Sequence, residues 1–324
     1  SSFIAAGTSY ASRGVPVVPF YTFYSMFGFQ RVGDLIWQAA DSRVRGFLLG
    51  ATAGRTTLLG EGLQHQDGHS LVLASTVPAC QTYDPAFAYE VAAIVRHGLR
   101  RMYAGAAGPN GETDPDVFYY LTLYNENYPM PVRPDGVSDD DIVSGLYRWG
   151  DFPAPVAGGP QVTLLFSGSA HGAVAAAART LAEEYGVSSD VWSATSYKVL
   201  REDALAAERQ NRLALDQTPR VSRVGAALGG SITPIVAVTD FMKIVPEQIA
   251  RFVHGRRFVP LGTDGMGRSD TREALRAHFE IDESHIIVTA LSALVQDGIM
   301  SSNVLASAIL KYGIDPQRQD PFLV

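Results

Sequence analysis

The stretch PFYTFYSMFGFQRVGDLIWQAADSRVRGFLLGATAGRTTLLGEGLQHQDGHS, residues 19–70, decides how the rest of the chain is read. The apolar and aromatic residues that run up to Tyr24 predict a short strand over 15–23, interrupted by Pro16 and Pro19. Met26, Phe27, Val32, Leu35, Ile36 and Ala39 then recur at helical spacing, which predicts an amphipathic helix to about Arg43. Residues 47–50 read as a second, buried strand. From Gly54 to Ser70 runs a long polar loop with four glycines, the kind of segment that carries function. Tyr21, Phe23, Tyr24, Phe27 and Phe29, followed by a loop holding Glu61, His65, Asp67 and His69, predict an apolar slot for a flat ring with titratable groups at its mouth. On spacing alone, such aromatic residues belong to a core more often than to a cofactor site.

Working outward, Asp84-Pro85 reads as a helix start, with aspartate as the cap and proline in the first turn. Phe87, Val91, Ile94 and Leu99 give the buried stripe to about Met102. Residues 117–124 are apolar throughout and predict a third parallel strand. A helix over 139–149 lies between two Pro/Gly-rich stretches, 129–136 and 152–160, which places a domain boundary near residue 150. Beyond it, strands over 162–166, 190–194, 235–239 and 258–261 alternate with helices over 173–185 and 241–253. Three more helices begin near Thr271, Asp282 and Ser301. The expectation is α/β: two domains with parallel or mixed sheets, residues 1–150 and 151–324.

Composition agrees with two cores. The chain has 324 residues and is 46% hydrophobic, whereas single cores stop growing near ~250–300 residues. A net charge of −7 argues against a nucleic-acid partner, which would show a basic stripe. The lone Cys80 rules out an internal disulfide framework and points to a reducing, cytoplasmic setting, with Cys80 a small core or loop residue. No apolar run approaches the ~20 residues that span a bilayer, so no membrane partner is expected. His65 and His69 are four apart, but the surrounding glycines disfavour a helix and no third ligand recurs nearby, so no metal is expected on this chain. An imidazole that titrates near neutrality suits proton transfer or the orientation of a carboxylate. Gly54-Arg55-Thr56-Thr57 and Gly168-Ser169-Ala170-His171 are weak phosphate signals and more often ordinary turns.

Residues 24–31, Tyr-Ser-Met-Phe-Gly-Phe-Gln-Arg, and the loop 60–69, Gly-Glu-Gly-Leu-Gln-His-Gln-Asp-Gly-His, resemble the thiamine-diphosphate-dependent pyruvate dehydrogenase component, homodimeric bacterial type, of the transketolase superfamily. The resemblance continues through Asp84–Glu90, Asn125–Tyr128, Ser167–Ser169 and Leu261–Asp270. It implies the thiamine-diphosphate-binding, transketolase-like fold, with 1–150 as the pyrimidine-facing domain and 151–324 as the C-terminal domain. By resemblance Phe27 packs on the aminopyrimidine, Tyr24 lines the same centre and Arg31 joins them in binding the cofactor. His65 contacts the substrate-derived intermediate and acts in catalysis with Tyr24 and Glu61. His69 lies on the substrate side, although a structural role suits it better. Asp264, Arg268 and Asp270 read as loop-bracing or interface residues.

In that superfamily a separate domain with a Gly-Asp-Gly motif and a following asparagine holds the diphosphate and Mg2+, and neither motif is present here. The glutamate that activates the aminopyrimidine falls just upstream of the segment matching residues 3–6. The resemblance therefore implies a half that is inactive alone, either a piece of a longer chain or, as favoured, a subunit paired with an N-terminal half into a dimer of heterodimers. The implied chemistry is transfer of a two-carbon unit from pyruvate or a ketose phosphate to a lipoyl or acyl carrier protein thiol. The alternative is a non-catalytic regulatory or assembly subunit, against which the retention of Tyr24, Phe27, Glu61 and His65 speaks.

Overall fold

A computed structural model describes residues 1–215 and 218–323. After two short helices, α1 (Ser2–Gly7) and α2 (Ser9–Ser12), the chain enters β1 (Phe20–Tyr24), α3 (Ser25–Asp41) and β2 (Gly46–Ala51). The long loop follows, then α4 (Ser70–Ser75), β3 (Cys80–Tyr83), α5 (Ala88–Ala104) and β4 (Phe118–Leu123). These strands form one parallel sheet in the order β1-β2-β4-β3. β4 is buried almost throughout, with Tyr119 and Tyr120 at 0% exposure, as a strand covered on both faces requires.

Next come α6 (Asp139–Val143), β5 (Tyr147–Phe152), β6 (Gln161–Phe166), α7 (His171–Tyr185), β7 (Ser188–Ser193), α8 (Tyr197–Leu213) and α9 (Arg223–Leu228). The chain continues through β8 (Ile235–Val238), α10 (Ile244–Ala250), β9 (Phe258–Leu261), α11 (Arg272–His278), α12 (Glu283–Gln296) and α13 (Ser302–Lys311). The second sheet runs β5-β7-β6-β8-β9 and is mixed, since β5 pairs antiparallel with β7. Thr271, Asp282 and Ser301 each accept a backbone N–H at the start of the helix they precede, so those starts were legible from their caps.

Three local expectations are corrected. The helix expected over 139–149 stops at Val143, because Gly145 (φ +94°) turns the chain into β5, which joins the second sheet. Asp84 does not cap α5. Its buried carboxylate accepts from Thr122 Oγ1 at 2.6 Å, Ser167 Oγ at 2.6 Å and the Tyr124 hydroxyl. The start of α5 is satisfied instead by Glu90, whose Oε2 reaches back to Ala86 N at 2.5 Å and Phe87 N at 3.1 Å. β3 and α8 are also present where no element was expected; α8 packs between the two sheets, against β3 and α10.

The halves share one core. Phe29, Leu48 and Tyr120 beside the first sheet are continuous with Leu146, Tyr197 and Phe241, and through them with Leu165 and Ala237 of the second. No described helix is long and apolar enough to cross a membrane.

Candidate active site

The expected site residues gather at the carboxyl ends of β1 and β2, where open α/β sheets place their ligands. Tyr24 ends β1 and precedes α3; Phe27 and Arg31 follow in its first two turns. Val32 leaves helical geometry (φ −126°, ψ 18°) beside Gly33, so this opening segment is set at its own angle to the rest of α3. Residues 52–69 leave β2, and their regular structure is a single 3₁₀ turn, Leu63–His65, which brings Glu61 and His65 over the start of α3.

There the His65 imidazole stands edge-on to Phe27, with ring centroids 5.1 Å apart, and 5.5 Å from Tyr24; Tyr24 and Phe27 are 5.7 Å apart. The Arg31 guanidinium lies over the Phe27 ring at 4.0 Å, a cation–π contact that occupies one face of it. Glu61 Oε2 is 3.6 Å from His65 Nδ1, within ion-pair reach but too long for a hydrogen bond. That nitrogen is shielded from solvent and has no hydrogen-bond partner among the described residues. Tyr24 is 46% exposed and Phe27 half-buried, so an aromatic surface remains open on this side of the chain.

His69 stands apart from that trio. It precedes α4 without a side-chain bond to the helix amides, and its Nε2 meets the Gln30 side chain. Burial, with Arg55 adding to it against Asp67, lowers its pKa and keeps the imidazole neutral near physiological pH. Asp67, fully buried, accepts from His69 N at 3.0 Å and Ser70 N at 2.8 Å, which satisfies the first amides of α4. Cys80 is fully buried and its thiol is pushed up to about 11 by burial, so it is no nucleophile.

Sequence reasoning passed over Arg55 as part of an ordinary turn. It is 6% exposed, and its Nη1 donates to the carbonyls of Thr263 and Gly265. Its only local signal was a charged residue after a buried strand. Asp240 gave no signal at all. It is fully buried, accepts from Thr56 N at 3.1 Å and Ser169 Oγ at 3.2 Å, and is raised to about 7 by burial.

An open aromatic platform with a histidine and a carboxylate at its rim fits the ring end of a cofactor. A diphosphate finds no counterpart in this loop: Arg55, the one arginine or lysine of residues 52–70, is committed to backbone carbonyls, and the described residues hold no cluster of metal-ligating side chains.

The fold places the chain in the transketolase-like class of α/β proteins. Transketolase from Leishmania mexicana superposes with a TM-score of 0.62 at 19% identity, covering 88% of this chain and 36% of that one. A split gene transketolase, described as an inactive beta4 tetramer, superposes with a TM-score of 0.62 at 16% identity, covering 91% of this chain and 81% of that one. Residues 1–131 match the family model of the pyruvate dehydrogenase E1 component middle domain, and residues 145–282 that of the transketolase-like TK C-terminal domain. The chain carries a pyruvate dehydrogenase E1 component middle domain followed by a transketolase-like C-terminal domain. It is 50% identical to the pyruvate dehydrogenase E1 component of Pseudomonas aeruginosa over 99% of its length, and 47% identical to that of Escherichia coli over 99%. It spans only 35% of either relative.

Proposed function

We propose that the chain forms one wall of a thiamine-diphosphate site in an enzyme that cleaves pyruvate, or a ketose phosphate, and passes the two-carbon unit to a lipoyl or acyl carrier protein thiol. The observation that carries this reading is the meeting of Tyr24, Phe27, His65 and Glu61 at the ends of β1 and β2 in a chain that carries this middle domain. When bound, thiamine diphosphate supplies a nucleophilic carbon that adds to the 2-oxo group. Phe27, backed by Arg31, packs on its pyrimidine ring and Tyr24 closes the edge of the slot. His65 moves a proton at the substrate oxygen, and Glu61 supports the charge that appears on the imidazole. His69, held neutral, bounds the substrate side.

The diphosphate and Mg2+ fall to a partner, an N-terminal half or subunit, with residues 1–150 facing it, residues 151–324 behind, and a dimer of heterodimers as the assembly. The open edge of the first sheet supports such a partner: β1 pairs with β2 alone among the described strands, and Phe20, Tyr21, Leu35 and Trp37 are 45–52% exposed along β1 and α3. The solved inactive form of a split gene transketolase chain also supports it.

The test mixes the chain with the N-terminal half, thiamine diphosphate and magnesium and follows pyruvate decarboxylation. Activity is expected from the mixture and from neither half alone. His65→Ala should lower turnover by about a hundredfold with the assembly intact. Undiminished turnover in that variant would refute the role of His65, and an inactive mixture would favour the assembly-subunit reading.

A further inference from the structure

The segment that carries Glu61 and His65 has little structure of its own to fix its height above Phe27, and it is held in addition by bonds from the far half of the chain. Arg55 Nη1 donates to the Thr263 and Gly265 carbonyls, both in the segment after β9. Arg268 N donates to Gln66 Oε1 at 2.6 Å, and Arg272 Nε to the Thr57 carbonyl at 2.9 Å. From the segment after β8, Met242 N donates to the Gly68 carbonyl at 2.8 Å and Asp240 accepts from Thr56 N at 3.1 Å. The 3₁₀ turn is thus anchored on both sides of His65, by residues 55–57 before it and 66–68 after it. Arg55 joins the two sides: its guanidinium packs against Gly68, where a Cβ would collide with it, and sits beside the Asp67 carboxylate. Arg55 is 6% exposed and Gln66 and Asp67 are 0% exposed, so these are interior bonds, undiluted by water.

We infer that Arg55 is the positioning residue of the site. By fastening the loop to the carbonyls of Thr263 and Gly265 it sets the distance of His65 and Glu61 from Phe27, which makes the C-terminal domain a working part of the catalytic centre. This rests on the reading of His65 as the proton-transfer group. A charge-assisted pair of bonds from one guanidinium to two carbonyls suits the task, because it fixes direction as well as distance. Placement errors of about 1 Å cost on the order of a hundredfold in rate.

The experiment compares Arg55→Ala with the unaltered chain by hydrogen–deuterium exchange and, after assembly with the N-terminal half, by steady-state kinetics. Arg251→Ala, which removes a pair with Glu208 and a cation–π contact with Phe252, both away from the loop, serves as the control. Exchange of residues 60–66 should quicken about tenfold while β4, β6 and β8 keep their protection. In the assembled enzyme kcat should fall about a hundredfold with KM for the 2-oxo acid little changed. Arg55→Lys, which keeps a cationic donor at this position, should recover part of the loss. Wild-type exchange and kcat in a folded Arg55→Ala chain would overturn the inference, as would a uniform loosening of all three strands, which marks a merely structural residue. If Arg55→Ala does not fold, Gln66→Ala is held to the same two outcomes. Should the unaltered assembly show no turnover, the functional reading fails by itself, while the exchange of residues 60–66 still decides whether Arg55 holds the loop.

Discussion

Phe27 has one face under the Arg31 guanidinium and an edge toward His65, yet it remains only half-buried beside an exposed Tyr24. A ring held this way is pre-positioned to stack without closing its own slot. Aromatic packing contributes ~0.5–1.5 kcal/mol beyond the area buried, so Phe27→Ala in the assembled enzyme should weaken thiamine diphosphate binding by about tenfold, read as the shift in its Kd. The pairing of Tyr24, Phe27 and His65 was accessible from sequence because both segments carry their motifs in unbroken runs. Arg55 and Asp240 were not, because what makes them matter lies far along the chain: Arg55 meets Thr263 and Asp240 meets Thr56. No spacing rule reaches across about two hundred residues.

Among elements, α5 shows how a local rule yields to a distant one. Asp-Pro before an apolar run is an ordinary start signal, but the Asp84 carboxylate is taken by Thr122, Tyr124 and Ser167, and Glu90 turns back to serve the helix amides. Glu90 does more than cap. Its Oε1 accepts from Tyr147 on β5 at 2.6 Å and from Ser193 on β7 at 2.7 Å, tying α5 to the second sheet. Glu90→Ala would strand the Ser193 hydroxyl and two amides in the interior, while Tyr147 keeps its bond to Tyr89, and should cost about 3 kcal/mol in denaturant unfolding, with Glu90→Gln costing less. Strands β2, β4, β6 and β8 were legible because buried parallel strands are written as apolar runs. β3, Cys-Gln-Thr-Tyr, was not: it is short, half polar, and buried only because α4 and α8 cover it.

At the scale of the whole molecule, Asp240 is a fully buried carboxyl group where the segment after β8 meets the loop after β2. Its folded pKa is raised by burial to about 7, against ~3.9 for an unfolded aspartate. The folded chain therefore holds a proton that the unfolded chain has released between about pH 4 and pH 7, so stability falls as pH rises through that window and this group adds no further slope above it. At roughly 1.4 kcal/mol per unit the difference amounts to ~4 kcal/mol. Asp240→Asn should flatten the decline between pH 4 and pH 7 in denaturant titrations; an unchanged slope would contradict the assignment.

The proposed function stands or falls with the division of one thiamine-diphosphate pocket between this chain and an N-terminal half. Calorimetric titration of thiamine diphosphate with magnesium into this chain, into the N-terminal half, and into their mixture puts it to the test. Saturable binding should appear in the mixture, with no tight binding to this chain alone. Tight binding of thiamine diphosphate by the isolated chain would contradict the shared pocket.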